Sequence, residues 1–70
     1  MEVQEYHRLT GTVEHIVYQK EENGFTVLEL ASAGELVTVV GEMPGVAEGE
    51  ELVLPGNYVA HPTFGSQFRV

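Results

Sequence analysis

The segment GEELVLPGNYVAHPTFGSQF, residues 49–68, decides the fold of this chain. Its first part alternates apolar and polar residues and predicts a β-strand over residues 51–60. One face of that strand carries Leu52, Leu54, Tyr58 and Ala60. Pro55 cannot donate a hydrogen bond within a sheet, so we expect Pro55-Gly56 to kink the strand at an edge or a bulge. A His-Pro turn, a Phe-Gly corner and a short strand over residues 67–70 complete a small all-β domain.

Turn residues divide the rest of the chain into runs rich in Val, Leu, Ile, Thr and aromatic residues, which favour strands. The predicted strands span residues 9–19, 25–30 and 35–42. In the first strand the apolar alternation changes phase between Val13 and Ile16, which predicts a β-bulge near Glu14-His15. The same alternation places Ile16 and Tyr18 on one face. The third strand is nearly all apolar, so we expect it to be central.

The connection at residues 43–50 contains a Pro-Gly pair and further turn residues, so we predict a loop without a helix. Five short strands joined in this way predict a small OB-fold barrel, and an SH3-like barrel is the alternative. We expect Phe25 and Phe68 to fill the barrel core. Residues 1–7 are expected to be a flexible lead-in and residues 8–70 the folded domain.

The composition is strongly acidic, because eleven Glu and no Asp accompany only three cations and give a net charge of −8. Such a field repels phosphate backbones, so it favours a solvated surface or a basic protein partner over autonomous nucleic-acid binding. The chain has no Cys, its start is acidic, and no apolar run approaches the ~18 residues of a membrane span. We therefore expect a cytoplasmic protein without a membrane partner.

The residue patterns of common active sites are missing from the sequence. A phosphate-binding loop needs G-x-x-x-x-G-K-[ST], yet the single lysine, Lys20, is followed by Glu21. A Ser-His-Asp triad is excluded because the chain has no Asp. His7, His15 and His61 lack the short spacing typical of metal ligands. We therefore predict no catalytic residue, metal site or cofactor within these residues.

The aromatic residues leave two binding hypotheses open. OB-folds bind single strands by stacking bases on aromatic rings beside cations. The candidate nucleic-acid-binding residues are Tyr18, Lys20, Tyr58 and Phe64. For Tyr18 and Phe64, burial in the core is equally compatible with the sequence. In the second hypothesis the domain docks on a neighbouring domain or protein, with its acidic surface against a basic one.

Four short motifs follow one another along the chain. They are LTGTVE at 9–14, ENGFTVL at 22–28, TVVGEMPG at 38–45, and His61-Pro62 followed by Phe64-Gly65 and Gln67-Phe68. In this order they resemble the N-terminal OB domain of RecD-like (RecD/TraA family) ATP-dependent DNA helicases of bacteria. The resemblance covers about residues 8–70, which is almost the whole chain.

The resemblance implies a place in a larger enzyme. In that family the OB domain precedes motor domains that bind ATP and magnesium and translocate 5′ to 3′ on single-stranded DNA, in recombination and repair. The chain is therefore expected to be a non-catalytic N-terminal fragment of such a helicase, with the downstream motor domains as partners. It would dock on the motor or on another protein; alternatively, it would bind single-stranded DNA weakly and guide the strand to the motor.

Overall fold

The computed structural model describes residues 7–63 and 65–70. Within these residues the chain forms five strands and no helix that could cross a membrane. The strands are β1 (His7–Gln19), β2 (Phe25–Ser32), β3 (Glu35–Glu42), β4 (Glu51–His61) and β5 (Gly65–Arg69). β1 and β5 begin two residues earlier, and β2 ends two residues later, than the sequence predicts. Of the expected lead-in, residues 1–6 lie outside the described residues and His7 belongs to β1.

The five strands close into a barrel in the order β1-β2-β3-β5-β4. Neighbouring strands pair antiparallel, except that β3 and β5 run parallel. A parallel pair needs a crossover connection, which β4 and the loop before it supply. β3 therefore lies between β2 and β5, the central position expected from its apolar sequence. This ring of five strands confirms the all-β class and has the form of a small OB-fold barrel.

Strand β1 closes the barrel by pairing with two neighbours. Residues 7–12 pair with β4 and residues 12–19 pair with β2, so Thr12 has partners on both sides. At this corner a Cβ on Gly11 would overlap the carbonyl oxygen of Ala31. A residue without a side chain is therefore required where β1 passes from one neighbour to the other.

Two irregularities bend β1. The ladder with β2 shifts register between Val13 and His15, which confirms the predicted bulge. A second shift lies between Ile16 and Tyr18, where the sequence pattern does not predict one. Ile16 packs against the core, whereas Tyr18 lies beyond the shift and is half exposed on the outer face. The prediction that these two residues share a face is therefore wrong, because each bulge reverses the alternation of side chains.

Strand β4 changes partner in its middle. Its first six residues pair with β1 and its last five pair with β5. Pro55 pairs with Arg8 of β1 and with no residue of β5, which confirms the predicted edge position. At the change of partner a Cβ on Gly56 would overlap the carbonyl oxygen of Arg69. Gly56 thus permits β4 and β5 to come together at the end of the barrel.

The core of the barrel is aliphatic with one aromatic ring. Its buried members are Leu9, Val13, Leu28, Leu30, Val39, Met43, Leu54 and Phe68. The ring of Phe68 is fully buried, which confirms its predicted place in the core. Each strand contributes only one or two of these residues. Phe68 is the member that β5 contributes, so this short strand depends on Phe68 for its attachment to the core.

Phe25 does not enter the core, and the prediction that it does is wrong. The inner face of β2 carries Thr26, Leu28 and Leu30, all fully buried, so Phe25 lies on the outer face and is half buried. Thr26 is tolerated inside because its hydroxyl donates a hydrogen bond to the carbonyl oxygen of Gly24 at 3.0 Å. The alternation of β2 thus outweighs the larger hydrophobicity of the phenyl ring.

The loop between β3 and β4 closes one end of the barrel without a helix, as predicted. Met43 is buried in the core and Val46 packs against it. The Glu48 carboxylate accepts a hydrogen bond from the backbone N–H of Ile16 at 3.0 Å and lies 3.3 Å from Nδ1 of His15. The loop is therefore fixed to the bulged part of β1.

Replacing each of the two phenylalanines with alanine shows by the loss in the free energy of unfolding which ring is in the core and which is on the surface. Phe68→Ala should lower the free energy of unfolding by about 3–5 kcal/mol, because a fully buried ring leaves a cavity. Phe25→Ala should lower it by less than about 2 kcal/mol, since only part of its apolar area is removed from water. Urea unfolding followed by circular dichroism measures both losses. Equal losses for the two variants would contradict the placement of Phe25 on the outer face.

Candidate functional site

The structure describes three of the four residues that the sequence predicts as a nucleic-acid site, and it places Tyr18 and Tyr58 on different faces of the barrel. Tyr18 lies near the end of β1, Lys20 follows this strand, and Tyr58 lies in the second half of β4. Phe64 lies outside the described residues. Tyr18 and Tyr58 are each about half exposed, at 51% and 52%. Their surroundings differ, and this difference decides what each can contribute.

Tyr18 belongs to the outer face of the barrel. It lies opposite Val27 of β2, and its ring meets the ring of Phe25 edge to face with centroids 6.3 Å apart. Lys20 is exposed, and its Nζ lies 4.0 Å from the carboxylate of Glu22. An exposed ion pair of this length contributes little to stability. Tyr18 and Lys20 are thus close in the chain, and the lysine has an acidic neighbour.

Tyr58 instead covers one end of the barrel. It lies opposite the buried Phe68, and the two ring centroids are 5.1 Å apart at an angle of 76°. The ring of His7 meets Tyr58 from another direction, with centroids 5.8 Å apart. Residues directly opposite in a ladder share a face, so Tyr58 points to the inner side, unlike Tyr18. The two tyrosines therefore do not form one continuous stacking surface.

Around Tyr18 the outer face of β1, β2 and β3 forms a surface that we call the Tyr18 patch. It consists of Tyr18, Phe25, Val27, Glu29 and Glu42. Phe25 is opposite Glu42, and Val27 is opposite Tyr18 on one side and Val40 on the other. The patch thus has an apolar centre and carboxylates at its border. Phe25, Val27 and both glutamates are missing from the predicted site, although the alternation of β2 would have shown Phe25 and Val27 on one face.

The described residues do not fit ATP and magnesium. The only lysine of the chain lies in a turn beside glutamates and is not part of a phosphate-binding loop. Within residues 7–63 and 65–70 no three His or Glu side chains come together in a way that could hold a metal ion.

The closed ring of five strands in the order β1-β2-β3-β5-β4 has the architecture of an OB-fold domain. A family model described as "ATP-dependent DNA helicase YrrC, OB-fold domain" matches residues 6–70, and the chain belongs to this family. Of the two barrel types expected from the sequence, the OB-fold and the SH3-like barrel, the match favours the OB-fold. It also supports the expected origin of the domain in a DNA helicase. No solved structure matches the chain.

Replacing each tyrosine with alanine tests whether Tyr58 contributes more to the free energy of unfolding than Tyr18 does. Tyr58→Ala should lower the free energy of unfolding by about 1–3 kcal/mol, because two edge-to-face contacts worth about 0.5–1.5 kcal/mol each are lost. Tyr18→Ala should lower it by about 1 kcal/mol or less, since it loses one such contact on the outer face. Thermal unfolding of both variants, with Tyr58→Phe as the control that keeps the ring, provides the measurement. A larger loss for Tyr18→Ala than for Tyr58→Ala would contradict these positions.

Proposed function

We propose that this chain is the N-terminal accessory domain of a RecD-like DNA helicase that moves 5′ to 3′ and acts in recombination and repair in the cytoplasm. The family match supports a helicase OB domain, and the ordered motifs around Asn23-Gly24 and Pro44-Gly45 support the RecD-like subgroup. In this proposal the downstream motor domains bind ATP and magnesium, and the OB domain takes no part in the chemistry.

The domain docks through the Tyr18 patch, and this patch is the observation that carries the proposal. A half-exposed tyrosine beside Phe25 and Val27 offers aromatic and aliphatic area that loses water on contact. Glu29 and Glu42 at the border select a partner with basic residues. The net charge of −8 steers such a partner towards the domain over a longer distance. The occupant that fits this chemistry is a basic surface of the motor domains.

The cations of the chain favour docking over strand binding. Nucleic-acid affinity depends on neutralising phosphates, and each contact needs a Lys or Arg directed at the strand. Beside Tyr18 the one lysine, Lys20, already lies near Glu22. A strand on this face would also pass the glutamates of the Tyr18 patch, which repel phosphate.

Weak binding of single-stranded DNA is the second candidate function. It is favoured by the exposed ring of Tyr18, on which a base could stack without moving any core residue. Stacking of one base on an aromatic side chain contributes about 1–3 kcal/mol, which is enough for a weak contact at low salt.

A titration of the isotope-labelled chain with two probes separates the candidates. The probes are the RecD-like motor region prepared without this domain and a short oligothymidine at about 50 mM salt. Docking predicts amide shifts around Tyr18, Phe25 and Val27 with the motor region alone. Tyr18→Ala should weaken this binding by about tenfold or more, as expected for a central tyrosine.

Val53→Ala serves as the matched control, because Val53 is 59% exposed on β4, away from the Tyr18 patch. It should leave the affinity for the motor region unchanged. Shifts at Tyr18 and Lys20 with oligothymidine but none with the motor region would replace docking with strand binding. An absence of shifts with both probes would reject both functions.

A further inference from the structure

Glu29 lies on the outer face of the barrel, diagonally across from Tyr18. In the β1–β2 ladder Tyr18 is opposite Val27, and Glu29 is the next residue of β2 on the same face as Val27. Glu29 is partly buried, whereas Tyr18 is half exposed. Tyr18 is at the opposite end of β1 from His7, and β3 separates β2 from β5. A carboxylate and an aromatic ring thus lie side by side on one surface.

Two basic side chains near Tyr18 lie beside other carboxylates. His15 is directly opposite Glu29, but its Nδ1 lies 3.3 Å from Oε2 of Glu48. Nζ of Lys20 lies 4.0 Å from Oε2 of Glu22. Within residues 7–63 and 65–70, Glu29 takes part in no ion pair.

The two arginines of the chain belong to other parts of the barrel. Arg8 is in the part of β1 that pairs with β4, and Arg69 is on β5, beyond β3. Docking on the Tyr18 patch removes further water from the carboxylate of Glu29, which costs free energy unless a cation pairs with it. The partner must therefore supply that cation.

The spacing of the ring and the carboxylate indicates which cation fits. Diagonal neighbours in a ladder are about 7–8 Å apart. A cation is attracted to an aromatic face within about 6 Å of the ring centroid, and its N–H groups reach a carboxylate over about 2.7–2.9 Å. One planar guanidinium group can stack on Tyr18 and donate to Glu29 at the same time, whereas a lysine ammonium is a compact point charge without a flat surface. Val27 offers aliphatic carbon to the stem of the same side chain.

We infer that the Tyr18 patch binds an arginine side chain of the partner in preference to a lysine. The guanidinium group stacks on Tyr18 and pairs with Glu29, and the aliphatic stem packs on Val27. This contact, which rests on the docking function proposed above, defines the residue type that the partner presents.

Two peptides that differ in a single cation test the preference. They are acetyl-Ser-Val-Arg-Val-Ser-amide and the same peptide with Lys in place of Arg, each titrated into the isotope-labelled chain at about 50 mM salt. We expect amide shifts at Tyr18, Val27 and Glu29 with the arginine peptide, and binding of the lysine peptide that is weaker by about fivefold or more. Equal binding of the two peptides, or an absence of shifts at these residues with the arginine peptide, would overturn the inference.

Two variants test the two contacts separately. Glu29→Gln keeps the shape of the side chain and removes its charge, so it should weaken binding of the arginine peptide about tenfold. Tyr18→Leu keeps an apolar side chain without an aromatic face, so it should reduce the preference for arginine to about twofold or less. Because Tyr18 is half exposed, this variant keeps the test decisive if thermal unfolding shows that Glu29→Gln is destabilised.

Glu51→Gln is the matched control for the change in charge. Glu51 is exposed at the start of β4, outside the Tyr18 patch, so its exchange should leave the affinity for the arginine peptide unchanged. A loss as large as that of Glu29→Gln would show that only the net charge matters and would contradict the contact.

The motor region prepared without this domain separates the arginine contact from the docking function itself. If it binds the unchanged chain and Glu29→Gln equally well, docking holds and the arginine contact is wrong. If it does not bind while the arginine peptide does so with the expected preference, the contact holds and the motor region is not the partner. Shifts at Tyr18 with a short oligothymidine that grow in Glu29→Gln, without shifts from the arginine peptide, would assign the patch to nucleic acid instead.

Discussion

The fold depends on the close approach of strands at two glycines. β1 must pair with β2 and with β4, and β4 must pair with β1 and with β5. At each change of partner a carbonyl oxygen occupies the space that a Cβ would need, that of Ala31 beside Gly11 and that of Arg69 beside Gly56. A chain of seventy residues buries only a small core, so it has little stability to spare for strain at these positions.

Closure of the barrel also arranges its outer surface. The loop at residues 43–50 is fixed to the bulged part of β1 through Glu48, and beyond the second bulge Tyr18 faces outward beside β2. At Gly56, where β4 changes partner, Pro55 and Arg69 line one open groove. Residues distant in sequence thus form both the Tyr18 patch and this groove.

Local sequence signals predict much of the fold but less of the candidate site. Gly, Pro and Asn-Gly turns separate the strands, and the phase change after Val13 marks a bulge, so strand count and class follow from the sequence. The second bulge near Tyr18 depends on pairing with β2, which no local pattern shows. The hydrophobicity of Phe25 favours the core, but the alternation of β2 places Thr26 inside and Phe25 outside.

The free energy of unfolding of Gly56→Ala tests the central claim, that contact between strands at a missing side chain closes the barrel. We expect a loss of about 1–3 kcal/mol relative to the unchanged chain, because the added methyl group must displace the β5 backbone at Arg69. Urea unfolding gives the value, and the amide shifts of β5 report whether the strand remains attached. Unchanged stability with an intact β5 would contradict the account, since the barrel would then close without the approach that Gly56 allows.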